Sequence, residues 1–311
     1  MLSVSNIIIF LISETLINSQ TLILAGLGGL ISEKSGIINI GLEGIMTIGA
    51  FSGATVAYFT NDPLFSIFAG GLAGLVLAIL HAVFTIFLKS DQIITGMALN
   101  FLGPAIAVFI STLIFSSIST PPIEIKLPIL FDGILNKTSF IFQIFGKRYS
   151  VYIAILSVVL FHIVFKYTKI GLRINASGEN PEVLESVGVS VNKIRFFCVL
   201  LSGFLAGVSG AVLTTVVASS YVQGVTGGQG FIAIVMLIFG KWTPLGVLIG
   251  SFLFSFVKTL AIVLAQLPFF SLIMPPKMLV ITPYLIIILS LIFFSKKNYA
   301  PKFLGITYKK H

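Results

Sequence analysis

Asn39 and Glu43 stand four residues apart inside the stretch GGLISEKSGIINIGLEGIMTIGAFSG, residues 28–53. That spacing places both side chains on one face if the segment is helical. A carboxylate within an apolar span is expensive to bury and normally faces a protein interior or a watery path. Two uses are therefore open to this pair: lining or gating a solute route, or satisfying backbone groups at a helix start near the cytoplasmic surface. Gln229 and Phe231 open a second glycine-flanked stretch, GVTGGQGFIAIVMLIFGKWTPLGVLIG, residues 224–250. A half-helix beginning there would aim its positive end at the membrane interior or at a solute. Asn100 adds one more amide in an apolar run. Asn39, Glu43, Asn100, Gln229 and Phe231 are thus the candidates for a path lining. Amides, a carboxylate and an aromatic ring suit a neutral, weakly polar solute.

A different chemistry is written in GLRINASGENPEVLESVGVSVNKIR, residues 171–195, a polar, basic-flanked segment between apolar runs. Asn180 can cap a helix, Pro181 suits its first turn and Glu182 its positive end, while Gly188 is a natural stop. Val183, Leu184 and Val187 fall on one small apolar face. A helix of about seven residues does not hold in water by itself, so it must dock on its own bundle or in a groove of a partner; a mere connecting loop is the competing reading. Gly178, Glu179, Asn180, Pro181, Glu182, Leu184, Glu185 and Gly188 are the candidates for that docking element.

Other chemistries find no support. GxxxxGK[ST] is absent, so the chain has no phosphate-binding loop of its own, and no hydrolase elbow is present. No histidine–carboxylate set has metal spacing, and no run of intramembrane carboxylates suggests a proton relay. A single cysteine, Cys198, excludes an internal disulfide. His81 and His162, lone histidines in apolar runs, read as packing residues rather than ligands; Glu14, Lys258 and Gln266 are further polar groups in predicted spans. These absences favour a permease driven by a separate subunit over an enzyme.

The elements that position these residues are membrane helices. The chain has 311 residues, is 57% hydrophobic and only 9% charged, against about 25% charged in a soluble domain. Apolar runs of spanning length recur along it. The fold expected is all-α: one polytopic transmembrane bundle, residues 1–311, of about 8–10 spans with broken or short helices. Spans are placed at 6–31, 40–60, 64–88, 93–115, 150–167, 196–219, 229–240, 244–265 and 279–295. The 229–240 segment is too short to cross alone and reads as re-entrant or as half of a broken helix. The first residues carry no Lys or Arg, unlike a cleaved signal peptide, so the first span is expected to be retained. The net charge of +9 marks topology rather than nucleic-acid binding. Lys34, Lys89, Lys166, Lys169, Arg173, Lys193, Arg195 and Lys241 fall on one side with the tail lysines. That places 168–195 and the tail, 296–311, in the cytoplasm, with the N-terminus outside. The proline-bearing segment 116–149 is the main external loop, and its Asn136-Lys137-Thr138 sequon carries no weight. The tail reads as an anchor on the cytoplasmic leaflet, and Trp242 as an interface anchor.

The blocks GGLISEKSGIINIGLEGIMTIGAF (28–51), GLRINASGENPEVLESVGVSVNKIRF (171–196), SGFLAGVSGA (202–211) and GGQGFIAIVMLIFGKWTPLG (227–246) make the chain resemble permease subunits of bacterial ABC importers. The superfamily is that of the branched-chain amino acid and ribose permeases. NIGLEG and GFIAI…FGKW narrow the resemblance to the nucleoside (guanosine/purine nucleoside) branch. It implies a dimer of two permeases, identical or related, and a cytoplasmic ATPase subunit that binds ATP and Mg. It also implies an extracytoplasmic binding lipoprotein or periplasmic binding protein, location in the bacterial cytoplasmic membrane, and a coupling helix at 178–188 seated in the ATPase. No cofactor is expected in this chain. Rival cargoes are sugars or branched-chain amino acids, and the rival class is a stand-alone secondary transporter. Phe, Ile and Lys are unusually abundant, which resembles AT-rich codon bias and is not read as substrate preference.

Overall fold

In the computed structural model, residues 4–124, 127–130, 140–266, 281–285, 289 and 299–308 are described. The elements are helical: α1 (Val4–Lys34), α2 (Leu42–Thr60), α3 (Pro63–Ala82), α4 (Gln92–Phe115), α5 (Phe140–Phe145), α6 (Tyr149–Tyr167), α7 (Lys169–Glu179), α8 (Pro181–Ser186), α9 (Val191–Val212), α10 (Gln229–Phe239) and α11 (Pro244–Gln266). Single π turns extend α3 to Phe87 and α9 to Ala218. Among the described residues, 7 helices are long and apolar enough to cross a membrane, and the chain is a polytopic helical bundle. The expected spans from 6–31 to 244–265 each coincide with a helix to within a few residues. The span placed at 279–295 falls almost wholly outside the described residues.

Local chemistry sets the boundaries. Asp62 accepts hydrogen bonds from the amides of Leu64 and Phe65 ahead of Pro63, and Asp91 does the same for Ile93 and Ile94 at the start of α4. Both satisfy amides that a helix N-terminus leaves bare. Side chains such as Phe59, Phe84, Phe101 and Phe109 point outward, as lipid-facing positions should.

The centre of the bundle is a seam of small residues. A Cβ on Gly49 of α2 would lie 2.3 Å from the carbonyl oxygen of Gly207 on α9. One on Gly74 of α3 would lie 2.3 Å from the carbonyl oxygen of Gly203. Backbone contact of this kind replaces the hydrophobic drive that helices lack in lipid.

Two sequence-based expectations are corrected by the fold. Asn39 and Glu43 do not share a helix face, because α1 stops at Lys34 and α2 starts at Leu42, leaving Asn39 in an irregular break. The break survives at membrane depth because neighbours satisfy its backbone. Ser32 donates to the Ile37 carbonyl, Ile38 N–H donates to Gln92, His81 Nε2 donates to the Ile38 carbonyl, and Asn100 donates to that of Ile40. His81 is thus a packing residue with a backbone partner.

The described part of the tail, residues 299–308, packs on the protein: Phe303 N–H donates to Gly178 O at 2.8 Å, and Gly305 N–H to Gly36 O at 3.1 Å. This puts it on the same side as α7 and α8.

The apolar face of the short helix is divided. Leu184 is 4% exposed and turned to the bundle, whereas Val183 and Val187 are 57% and 69% exposed. The helix is also preceded by α7, which the polar composition of 169–179 concealed.

Candidate functional site

The site forms where α10 begins. Gly228 has φ +81°, a conformation that costs glycine nothing, and turns the chain into the helix. The two amides flanking Gln229 converge on one carboxylate: Glu43 Oε1 accepts from Gly228 N–H at 2.9 Å, and Oε2 accepts from Gly230 N–H at 2.7 Å. An anion at a helix N-terminus is favoured by the bare amides and by the helix dipole. No room separates the two elements, since a Cβ on Gly230 would sit 2.4 Å from the Glu43 backbone nitrogen. Nearby, Gln229 Oε1 accepts from Thr21 Oγ1 of α1 at 2.7 Å. The hydroxyls of Thr47 on α2 and Thr226 lie 3.2 Å apart.

These contacts fix the depth of Glu43. Its partners share a level with Thr21, which lies 13 residues before the end of α1, or about 20 Å along the helix. Glu43 therefore sits inside the bundle, well away from the end at which α1 stops. It is partly buried, and the residues leading into α10, Gln223, Gly224 and Gly227, are exposed.

Helix α10 has 11 residues, about 16 Å at 1.5 Å per residue, and runs from the Glu43 level toward the end of α1. There Trp242 Nε1 donates to the Glu33 carboxylate at 2.6 Å. The link 219–228 leads into it and is joined to the loop after α4, where Thr120 N–H donates to Tyr221 O at 3.0 Å and Ile123 N–H to Ser219 O at 2.7 Å. The short segment is thus a half-helix preceded by irregular chain. The Trp242 indole closes on buried Glu33 from a turn in which both Lys241 and Trp242 have positive φ.

The sequence-derived candidates separate into groups. Glu43 and Gln229 come together at the α10 start. Phe231 is on the same helix and 46% exposed. Asn100 lies at a different junction: its Oδ1 accepts from Gly44 N–H at 2.9 Å and its Nδ2 donates to Ile40 O at 3.0 Å. Asn39 is 1% exposed and donates to Ser202 Oγ at 3.0 Å; it braces the break against α9. Thr21, Glu33, Thr226 and Trp242 were missed. The signal that could have found Glu33 is an acid ending an apolar span.

At the end of the bundle that carries α7 and α8, Asn180 Oδ1 accepts from Val183 N–H at 3.3 Å, Pro181 opens α8, and Gly188 with φ +78° follows it. Glu179 and Glu182 are exposed, Pro181 is buried, and Glu185 accepts from the Tyr308 hydroxyl. Gly178 is packed where a Cβ would meet Lys34 O at 2.4 Å.

A bundle of spanning-length helices, with an irregular break between α1 and α2 and a short capped helix at one end, defines a polytopic membrane protein. The chain matches the family described as "Branched-chain amino acid transport system / permease component" over residues 11–291, and it belongs to that family. It is similar to the nucleoside ABC transporter permease protein NupC of Lactococcus lactis, with 37% identity covering 99% of each chain. It is also similar to the guanosine ABC transporter permease protein NupQ of Bacillus subtilis, with 35% identity and 99% coverage of each. A putative glucose ABC transporter permease protein, TsgC13 of Haloferax volcanii, is 34% identical over 80% of this chain and 76% of its own. No solved structure matches. The protein is accordingly a multi-pass permease of the cytoplasmic membrane.

Proposed function

We propose that this permease is the membrane subunit of an ATP-driven importer whose cargo is a nucleoside. A cytoplasmic ATPase subunit would bind ATP and Mg, a second permease, copy or relative, would complete the channel, and an extracytoplasmic binding protein would deliver the solute. The carrying observation is α8: a capped helix too short to stand alone, seated through Pro181 and Leu184 while showing Val183 and Val187 outward. An exposed apolar pair beside Glu179 and Glu182 suits a groove on a soluble partner. The full-length likeness to permeases named for nucleosides and guanosine supports the cargo.

The path would pass the α10 start. Phe231 offers a ring for a base to stack on, while Gln229 and the Glu43 carboxylate offer polar contacts to a ribose or base edge. Movement of α8 would shift α2 against α10 and part Glu43 from its two amides, switching the cavity between its two openings. Asn39 and Asn100 brace the break from which α2 starts.

The test is uptake of radiolabelled guanosine into proteoliposomes holding the complete complex, with and without ATP. The reading requires ATP-dependent uptake that unlabelled nucleosides compete away. It also requires Val183→Asp with Val187→Asp to release the ATPase. Uptake by the single chain without ATP would overturn it. A sugar cargo is the second reading, favoured by the likeness to the putative glucose permease; competition by glucose in the same assay would establish it.

A further inference from the structure

We infer that residues 299–308 form a transmission strap that ties α8 to the break below Glu43 and carries the displacement of α8 to that site. The inference rests on the ATP-driven reading above. The strap touches each part of the path in turn. Pro301 is buried against Gly178 at the end of α7, and Phe303 N–H donates to the Gly178 carbonyl. Gly305 N–H donates to the carbonyl of Gly36, inside the 35–41 break, and a Cβ on Gly305 would lie 2.9 Å from the Ile38 side chain. Tyr308 donates its hydroxyl to Glu185 on α8. One short segment is therefore bonded to α8, to α7 and to the break that leads into Glu43.

A tail lying idle on the surface would not need what lies beneath this one. Arg195 of α9 is 1% exposed, and its Nη1 donates to Ile306 O at 2.9 Å while Nη2 donates to Ser177 O at 3.3 Å. A buried guanidinium depends on the acceptors it does reach, and Nε of Arg195 has none among the described residues. Lifting the strap would strip Arg195 of its Ile306 partner as well, so the strap is held down and moves with the elements it touches. Ser177 Oγ also donates to Ser35 O at 2.9 Å, fastening α7 to the same break. A hydrogen-bonded connection between α8 and the break is what carries force; loose chain would absorb it.

The experiment uses the complete complex in proteoliposomes and reads three quantities: ATPase retained, ATP hydrolysed, and guanosine taken up per ATP. Two variants loosen the strap, Tyr308→Phe at its α8 end and deletion of residues 301–311. Expected is retained ATPase and continued hydrolysis, with uptake per ATP reduced about fivefold by the deletion and less by Tyr308→Phe, the range of long-range coupling changes. A third variant, Glu185→Cys with Tyr308→Cys in a Cys198→Ala background, restores the tie covalently when the two thiols are bridged by a bismaleimide long enough to replace the Tyr–Glu reach, which a direct disulfide is too short to do. Its bridged form is expected to regain the uptake per ATP that the unbridged form loses. Wild-type uptake per ATP in Tyr308→Phe and in the unbridged cysteine pair would overturn the strap. So would uptake that falls only in proportion to the complex lost. ATP-independent uptake by the wild type would instead bring down the importer reading.

Discussion

Two helices in this bundle begin at membrane depth, and each has its start satisfied by a side chain from elsewhere. The start of α2 is held by Asn100, which both accepts from Gly44 N–H and donates to Ile40 O. The start of α10 is held by Glu43, which accepts twice, from Gly228 and Gly230. A neutral amide with a donor and an acceptor closes its junction completely and has no net charge to hydrate. A carboxylate is only an acceptor, and separating it from its amides inside a membrane leaves a charge that needs water or a solute to take their place. The first junction is a pin. The second is a contact whose opening requires a polar substitute, which the proposed solute path would provide.

Substitutions can break this contrast, in descending order of effect. Gly230→Val forces a side chain into the 2.4 Å gap to the Glu43 backbone, and membrane-inserted protein, followed by immunoblot, is expected to be lost almost entirely. Glu43→Ala removes both acceptors from the α10 start. Hydrogen bonds to charged groups contribute about 1.5–3 kcal/mol each, so guanosine uptake is expected to fall by more than about tenfold in protein that still inserts. Asn100→Ala leaves Gly44 N–H and Ile40 O bare. About 1–3 kcal/mol of stability should go, seen as a lower melting temperature in detergent, while uptake per surviving molecule stays near wild type. Equal losses of uptake per molecule at Glu43 and Asn100 would erase the distinction. Thr21→Val removes the donor to Gln229 Oε1 and is expected to lower uptake about threefold, the worth of one neutral hydrogen bond.

Much of the scaffold was legible in the sequence because a span announces itself by local composition. The capped helix at 180–188 was legible for the same reason: Asn180, Pro181 and Gly188 are punctuation within a few residues. Glu43 could be singled out, but not its role, because its partners lie some 185 positions along the chain and the second span was begun at 40, two residues ahead of the helix that starts at Leu42. Its neighbours confirm the reason. The backbone of the break at 35–41 is satisfied by His81, Gln92 and Asn100, polar residues that read as isolated when taken one at a time. The packing of the tail was not legible, because the bonds that hold it run through its backbone and through Arg195, which reads as a topology marker.

The central claim is that α2 and α10 must part at Glu43 during transport, and a reversible lock there tests it most directly. Thr47 and Thr226, whose hydroxyls are 3.2 Å apart, can be replaced by cysteines in a Cys198→Ala chain and the pair oxidised in the assembled complex. ATP-driven guanosine uptake should stop on oxidation and return on reduction. Undiminished uptake by fully cross-linked protein would contradict the account.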